Sequence, residues 1–187
     1  MKITELVNHI STYKNKFSSK SKNNQTMEKL YKDYCSGKSS PLFDLYFMLQ
    51  IPQSYGPRLE KFFIKNNNLT KVSASLDRGD FKNNNEKYYE HKFSFMKDEK
   101  FNFVQIRPWQ DIEGYALEVL REGKFTQFYI SKKDMNTLLE KYGGMAHGTK
   151  ESSEVNINKE YALRGKYSSE LWIELQKLNR GKSLISC

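Results

Sequence analysis

The apolar positions of residues 1–17 (Ile3, Leu6, Val7, Ile10, Tyr13 and Phe17) recur at three- and four-residue intervals, which predicts an amphipathic helix. A Ser/Lys/Asn linker covers 18–25. Thr26 and Glu28 suit the start of a second helix to Tyr34, stopped by Ser36-Gly37. Ser40-Pro41 opens a third over 42–49, whose Phe43, Leu45, Tyr46, Phe47 and Leu49 leave little polar face. This N-terminal part reads as a helical arm, a dimer surface or a cap on the core. After a Pro/Gly-marked joint at 51–56, a helix is predicted over 57–65, with Pro57 in its first turn. Leu59, Phe62, Phe63 and Ile64 are apolar there and Glu60 is on the other side.

Residues 71–76 alternate weakly and predict a first strand, and 82–85 form a polar hairpin loop. Residues 88–95 alternate cleanly. Tyr88, Glu90, Lys92 and Ser94 share one face; Tyr89, His91, Phe93 and Phe95 share the other, where His91 reads as a core histidine. A strand follows over 101–107, then a turn or helix start at 107–111. An apolar segment at 115–121 is expected to pack on the sheet as a helix, although Gly114 weakens it. A strand at 125–130 leads to a helix capped by Ser131, with Asp134 three positions on and Met135, Leu138 and Leu139 inward. Tyr142-Gly143-Gly144 ends that helix and opens a glycine-rich loop to Thr149, which lacks the lysine placement of a phosphate-binding P-loop. Ser169 opens a last amphipathic helix with Trp172 and Leu175 inward, and the basic segment 179–182 reads as frayed. No internal repeat is visible.

The 187 residues suit one domain with extensions: a helical region 1–50, a core 51–145 and a C-terminal extension 146–187. A mean hydropathy of −0.79 indicates a very polar surface, while 12 Tyr and 12 Phe supply enough aromatic surface for an ordered core. Lys and Arg number 31 against 22 Asp and Glu, a formal +9 that suits a polyanion partner, and equally suits solubility or a lysine-biased composition. Cys35 and Cys187 form no Cys-x-x-Cys pair, so neither zinc nor a disulfide framework is expected, and a reducing cytoplasm fits. Residues 1–10 carry no signal-peptide pattern, and no apolar run reaches membrane-spanning length.

The candidate chemistry lies at Asp80, Glu90 and Lys92. Glu90 comes ten positions after Asp80, and Lys92 two later on the same strand face. A hairpin that brings Asp80 against them gathers two carboxylates and an ammonium. Left alone, the acids repel and their pKa values rise; a bound Mg²⁺ removes the conflict. The bland alternative is a solvated hairpin with a cross-strand ion pair. Gly79-Asp80, the loop and Glu90-His91-Lys92 resemble the catalytic motif of the PD-(D/E)xK nuclease superfamily, which includes many type II restriction endonucleases. The resemblance covers about residues 56–133, with Gly79 where the family pattern has Pro, a change expected to be tolerated because either residue makes a turn.

The resemblance implies an α/β fold with a restriction-endonuclease-like core, a mixed central sheet flanked by helices, carrying the N-terminal helical extension. It implies a Mg²⁺-dependent endonuclease on double-stranded DNA, acting as a homodimer. Asp80 and Glu90 would hold the metal and Lys92 would assist the attacking water, supported by Gln105 and by Glu60 on the preceding helix. DNA contacts are expected from Arg78, Lys82, Arg107, Gln110, His147, Thr149, Arg164 and Lys166. One nuclease branch spaces a Gln and a Tyr three to four apart; Gln110 and Tyr115 are five apart, a departure from it. Two alternatives remain open: a non-catalytic DNA-binding or interaction subunit, and a nuclease used in repair, junction resolution or phage DNA processing.

Overall fold

Two neighbouring strands organise the chain. A computed structural model describes residues 52–73, 76, 78–121, 124–146 and 159–185; the three predicted N-terminal helices, His147 and Thr149 lie outside the described residues. Helix α1 (Pro52–Asn66) is followed by β1 (Thr70–Lys71), β2 (Phe81–Lys82), β3 (Tyr88–Phe95), β4 (Lys100–Ile106), β5 (Gly114–Arg121) and β6 (Lys124–Ser131). Then come helix α2 (Lys132–Tyr142), β7 (Gly143–Met145), β8 (Tyr161–Lys166), helix α3 (Glu170–Leu178) and a 3₁₀ turn (Lys182–Leu184). The result is an α/β fold. Its mixed five-stranded sheet runs β1-β2-β3-β5-β6, and a second sheet runs β4-β8-β7. β1, β2 and β3 pair antiparallel, whereas β3 and β5 are parallel, with Glu90 opposite Tyr115 and Lys92 opposite Leu117.

The segment expected as a helix at 115–121 is strand β5. Both parities of Tyr115-Ala116-Leu117-Glu118-Val119-Leu120 are buried, as a strand covered on both faces requires. An apolar run this short is ambiguous between the two states, and Gly114 at its start favours the strand. β4 forms where expected but leaves the main sheet to pair antiparallel with β8, bulging between Phe103 and Ile106. The crossover from β3 to parallel β5 therefore passes through a strand and a turn at 107–113, not a helix. Two further boundaries moved. α1 begins before Pro57, which lies inside it, and the first strand shrinks to Thr70–Lys71, with Leu76 half exposed. Gly143–Met145 is a short strand where a loop was expected.

The main sheet is buried on both faces. On one, Phe63 and Ile64 of α1 pack with Phe81, Tyr89, Ala116, Tyr129 and Ile185. On the other, Tyr115, Leu117 and Val119 meet Phe101 and Phe103 of β4, Met135, Leu138 and Leu139 of α2, and Trp172 and Leu175 of α3. Each such side chain contributes about 1.5–3 kcal/mol through removal from water. Ser131 caps α2, its hydroxyl oxygen accepting from Asp134 N at 3.1 Å; Ser169 caps α3 less tightly, accepting from Trp172 N at 3.4 Å. The segment after α3 is tied down, not frayed. Asn179 Oδ1 accepts from Tyr129 N at 2.9 Å, Arg180 binds Asp134 at 2.8 Å, and the Tyr89 hydroxyl donates to the Leu184 carbonyl at 2.7 Å. No described helix is long and apolar enough to cross a membrane.

Candidate active site

Asp80 stands immediately before β2, held between two chain segments. Its N–H donates to the Tyr89 carbonyl and its own carbonyl accepts from Val72 N, both at 2.9 Å. Its side-chain Oδ2 accepts from the His91 backbone N–H at 2.9 Å, so the carboxylate occupies a backbone donor of β3. The turn that permits this depends on Gly79, at φ +76°, where an added Cβ would lie against the Tyr89 carbonyl. Proline, fixed near φ −65°, cannot adopt that angle, so glycine and proline are not interchangeable here. Gly79→Ala is expected to cost about 1–3 kcal/mol by forcing a strained φ against β3. A urea unfolding midpoint equal to the unsubstituted chain's would show the turn to be unconstrained.

Glu90 and Lys92 project from the same face of β3, and the ammonium donates to Glu90 Oε1. The Glu90 side chain is 3% exposed and Lys92 15%. Glu90 Oε2 is buried and has no hydrogen-bond partner among the described residues. Opposite Glu90 is Tyr115, whose hydroxyl donates to the Arg107 carbonyl at 3.4 Å. Burial, reinforced by the charge of Glu90, pushes the Tyr115 phenol well above its usual range, so it stays neutral.

The electrostatics tie these groups together. Burial raises the Glu90 carboxyl above the ordinary carboxylate range; Lys92 opposes this, Asp80 adds to it, and Arg107 opposes it more weakly. Burial likewise raises Asp80, with Lys92 opposing and Glu60 adding. Glu60, Asp80 and Glu90 thus form a chain of repulsion, Glu60 on Asp80 and Asp80 on Glu90, and Lys92 opposes the rise at both Asp80 and Glu90. Glu60 is partly relieved by Lys71, which donates to it at 2.8 Å. The arrangement is short of positive charge and holds one unfilled carboxylate oxygen. That donor set, hard oxygens only, suits Mg²⁺. Among the described residues no three His, Cys, Asp or Glu side chains form a ready-made cage. Mg²⁺ commonly takes one or two carboxylates and completes its shell with water and phosphate oxygens.

The other predicted residues are distributed more widely. Gln105 sits at the β4 bulge, exposed and at φ +56°, in the second sheet and not on a neighbour of β3. Gln110 is buried in the turn after β4, with its carbonyl accepting from Lys132 at 2.5 Å. Arg107 pairs with Glu160 at 2.8 Å, Arg78 lies 3.6 Å from Asp111 and over the Tyr88 ring, and Lys82 pairs with Glu86. Arg164 donates to the carbonyls of Met145 and Ala146, and Lys166 is exposed on β8.

Two features of the site did not follow from the sequence, where Arg107 is expected only as a DNA contact. The charge of Arg107 reaches Glu90, and Tyr115 lies across the sheet from it; neither pairing follows from spacing. On the reverse face of β3, His91 is a core histidine as expected, with Nε2 2.9 Å from Glu118 Oε2. Its ring stacks on Phe63 at 4.7 Å. The lone acid in the apolar run 115–120 was the available signal for Glu118. No family model matches the chain, and no curated protein matches it.

Proposed function

We propose that the chain is a Mg²⁺-dependent endonuclease hydrolysing phosphodiester bonds in double-stranded DNA, of the restriction-endonuclease type. The observation that carries this reading is the buried Glu90 carboxylate in the field of Asp80, with one oxygen on Lys92 and the other without a hydrogen-bond partner among the described residues. Asp80 and Glu90 would hold the metal, with Glu60 adding negative charge behind Asp80. Bound Mg²⁺ would supply a Lewis acid for the phosphorus oxygens and acidify a water. Lys92 orients the attacking water and sets positive charge against the phosphorus centre as its negative charge grows. The attacking water oxygen would bond to phosphorus and give up a proton to solvent, while the bond to the leaving sugar oxygen breaks and that oxygen takes up a proton from solvent. Cutting both strands of a short site needs two such centres, so a homodimer is part of the proposal. Incubating the purified chain with supercoiled plasmid and Mg²⁺ should yield nicked and linear products. Intact plasmid across a Mg²⁺ and Mn²⁺ series would remove the reading.

The pH dependence gives a second test, independent of knowing the DNA site. An acid whose pKa is raised in the fold keeps its proton where the unfolded chain has lost it. Stability without metal therefore falls as pH climbs from the ordinary carboxylate range through the raised pKa values of Asp80 and Glu90. Mg²⁺ binds the ionised acids, so its stabilising effect grows over the same window. The gain in melting temperature from excess Mg²⁺ should be larger near pH 8 than near pH 5, and Glu90→Gln should abolish most of it.

The Lys92–Glu90 pair also neutralises part of the site without metal, which favours a second reading: a non-catalytic DNA-binding subunit. That protein would bind DNA in a salt-dependent manner and give no heat on Mg²⁺ titration.

A further inference from the structure

At the far end of β3 from Asp80, a cleft of about 530 Å³ opens between the β3–β4 hairpin and β8. Lys97, Lys100, Arg164 and Lys166 line it, against a single acid, Asp98. Its arrangement is electrostatically unfavourable as it stands. Lys100 lies directly opposite Lys166 in the antiparallel β4–β8 ladder, and Arg164 shares their face two residues along. Like charges directly opposite each other destabilise such a pair. Among the described residues, no ion pair joins Lys97, Lys100 or Lys166 to a carboxylate.

The hairpin that presents two of these lysines is itself strained. Asp98 and Glu99, its two central residues, both have positive φ, at +50° and +62°, where Asn-Gly is the usual solution. The strain is held in place from outside. Tyr167 N donates to the Glu99 carbonyl at 2.8 Å, Arg121 binds the Glu99 carboxylate at 3.1 Å, and Lys97 and Lys100 exchange backbone hydrogen bonds. The outlier thus fixes Lys97 and Lys100 beside β8 instead of letting them spread into solvent.

We propose that this cleft binds the phosphodiester backbone of the DNA, as a contact separate from the cleavage site. The proposal takes its substrate from the nuclease reading and adds the place where the duplex is gripped. Phe95, in the cleft wall, lies three residues beyond Lys92 on β3, about 10 Å along the strand at ~3.3 Å per residue and on the opposite face of it, which keeps the cleft distinct from the cleavage site.

The test is binding of a labelled duplex by the full chain in chelator, across a salt series, so that no cleavage occurs. Lys100→Gln/Lys166→Gln should reduce the slope of log affinity against log salt by about 1.8 and weaken binding roughly 10- to 100-fold at ~0.1 M salt. The variant should fold at least as well as the parent, because it removes a like-charge pair. If it does not, Lys100→Gln alone should show half the slope change. Lys141→Gln, an exposed lysine paired with Glu174 and outside the cleft lining, should leave the slope within error. Unchanged slope and affinity in the cleft variants, or an equal loss in Lys141→Gln, would overturn the proposal. So would displacement of the duplex by inorganic phosphate but not by sulfate at equal ionic strength, which would mark a free-phosphate site. Asp80→Asn separates the two readings. Salt-dependent binding through the cleft without cleavage by any form would leave the cleft standing and end the nuclease assignment. Cleavage with unchanged KM in the cleft variants would do the reverse.

Discussion

Lys92→Ala is expected to lower Mg²⁺-dependent cleavage by about 10²–10⁴-fold, with DNA binding in chelator largely kept. Lys92 is the one ammonium that opposes the raised pKa of both Asp80 and Glu90. Among the described residues it is also the only group bonded to Glu90 Oε1. On the proposed mechanism, its removal takes away the positive charge next to the attacked phosphorus and the donor that orients the water. Both carboxyls then hold their protons to higher pH, so cleavage should fall further below neutrality than above it. Asp80→Asn and Glu90→Gln should lose activity by a different route. On that mechanism each removes a metal oxygen, and Glu90→Gln also places an amide where Lys92 donates. Calorimetric titration separates the two routes: Mg²⁺ heat persists in Lys92→Ala at alkaline pH and disappears in Glu90→Gln. Undiminished cleavage by both Lys92→Ala and Asp80→Asn would show that the three side chains are a structural ion cluster and nothing more.

The grouping of those three side chains was legible because each step was local. Strand parity places Glu90 and Lys92 on one face, and the turn residues at 79–80 bring the acid back against the next strand. β3 and the serine caps of α2 and α3 were legible for the same reason. Pairing partners were not. β4 alternates like any strand, but its ladder is formed with β8, about sixty residues later, and no local pattern records that. Gln105 therefore had a plausible face and the wrong sheet. β5 failed differently. Its seven buried positions satisfy a helix or a doubly covered strand equally well on hydrophobicity, and only its neighbours decide. The segment 179–182 is polar and basic enough to read as frayed. What holds it is a few specific bonds, from Tyr89, Tyr129 and Asp134, that composition cannot show.

The largest effect on stability is expected from His91→Ala, a loss of about 3–5 kcal/mol. The His91 and Glu118 side chains are 2% and 0% exposed, and each is the other's partner across β3 and β5. Behind Glu118 the chain of bonds continues. Gln127 donates to its second oxygen at 2.6 Å, and the Tyr129 hydroxyl donates to Gln127 at 3.1 Å. Deleting the imidazole leaves a cavity under Phe63 and strips a buried carboxyl of one partner, and both terms act in the same direction. Replacing both partners together should cost less than the two single changes combined. His91→Leu with Glu118→Leu removes the stranded polar groups, while half-buried Gln127 can turn towards water. Urea unfolding of the two single variants and the double variant measures that coupling; a loss under about 1 kcal/mol in His91→Ala would show the pair to be dispensable. The backbone N–H of His91, not its ring, binds Asp80, so the substitution should spare the donor that positions the acid. Cleavage per folded molecule, measured cold where the variant is still folded, should therefore fall far less than in Lys92→Ala. If it falls as far, the buried ring pair also sets the position of Asp80, and the two faces of β3 act as one unit.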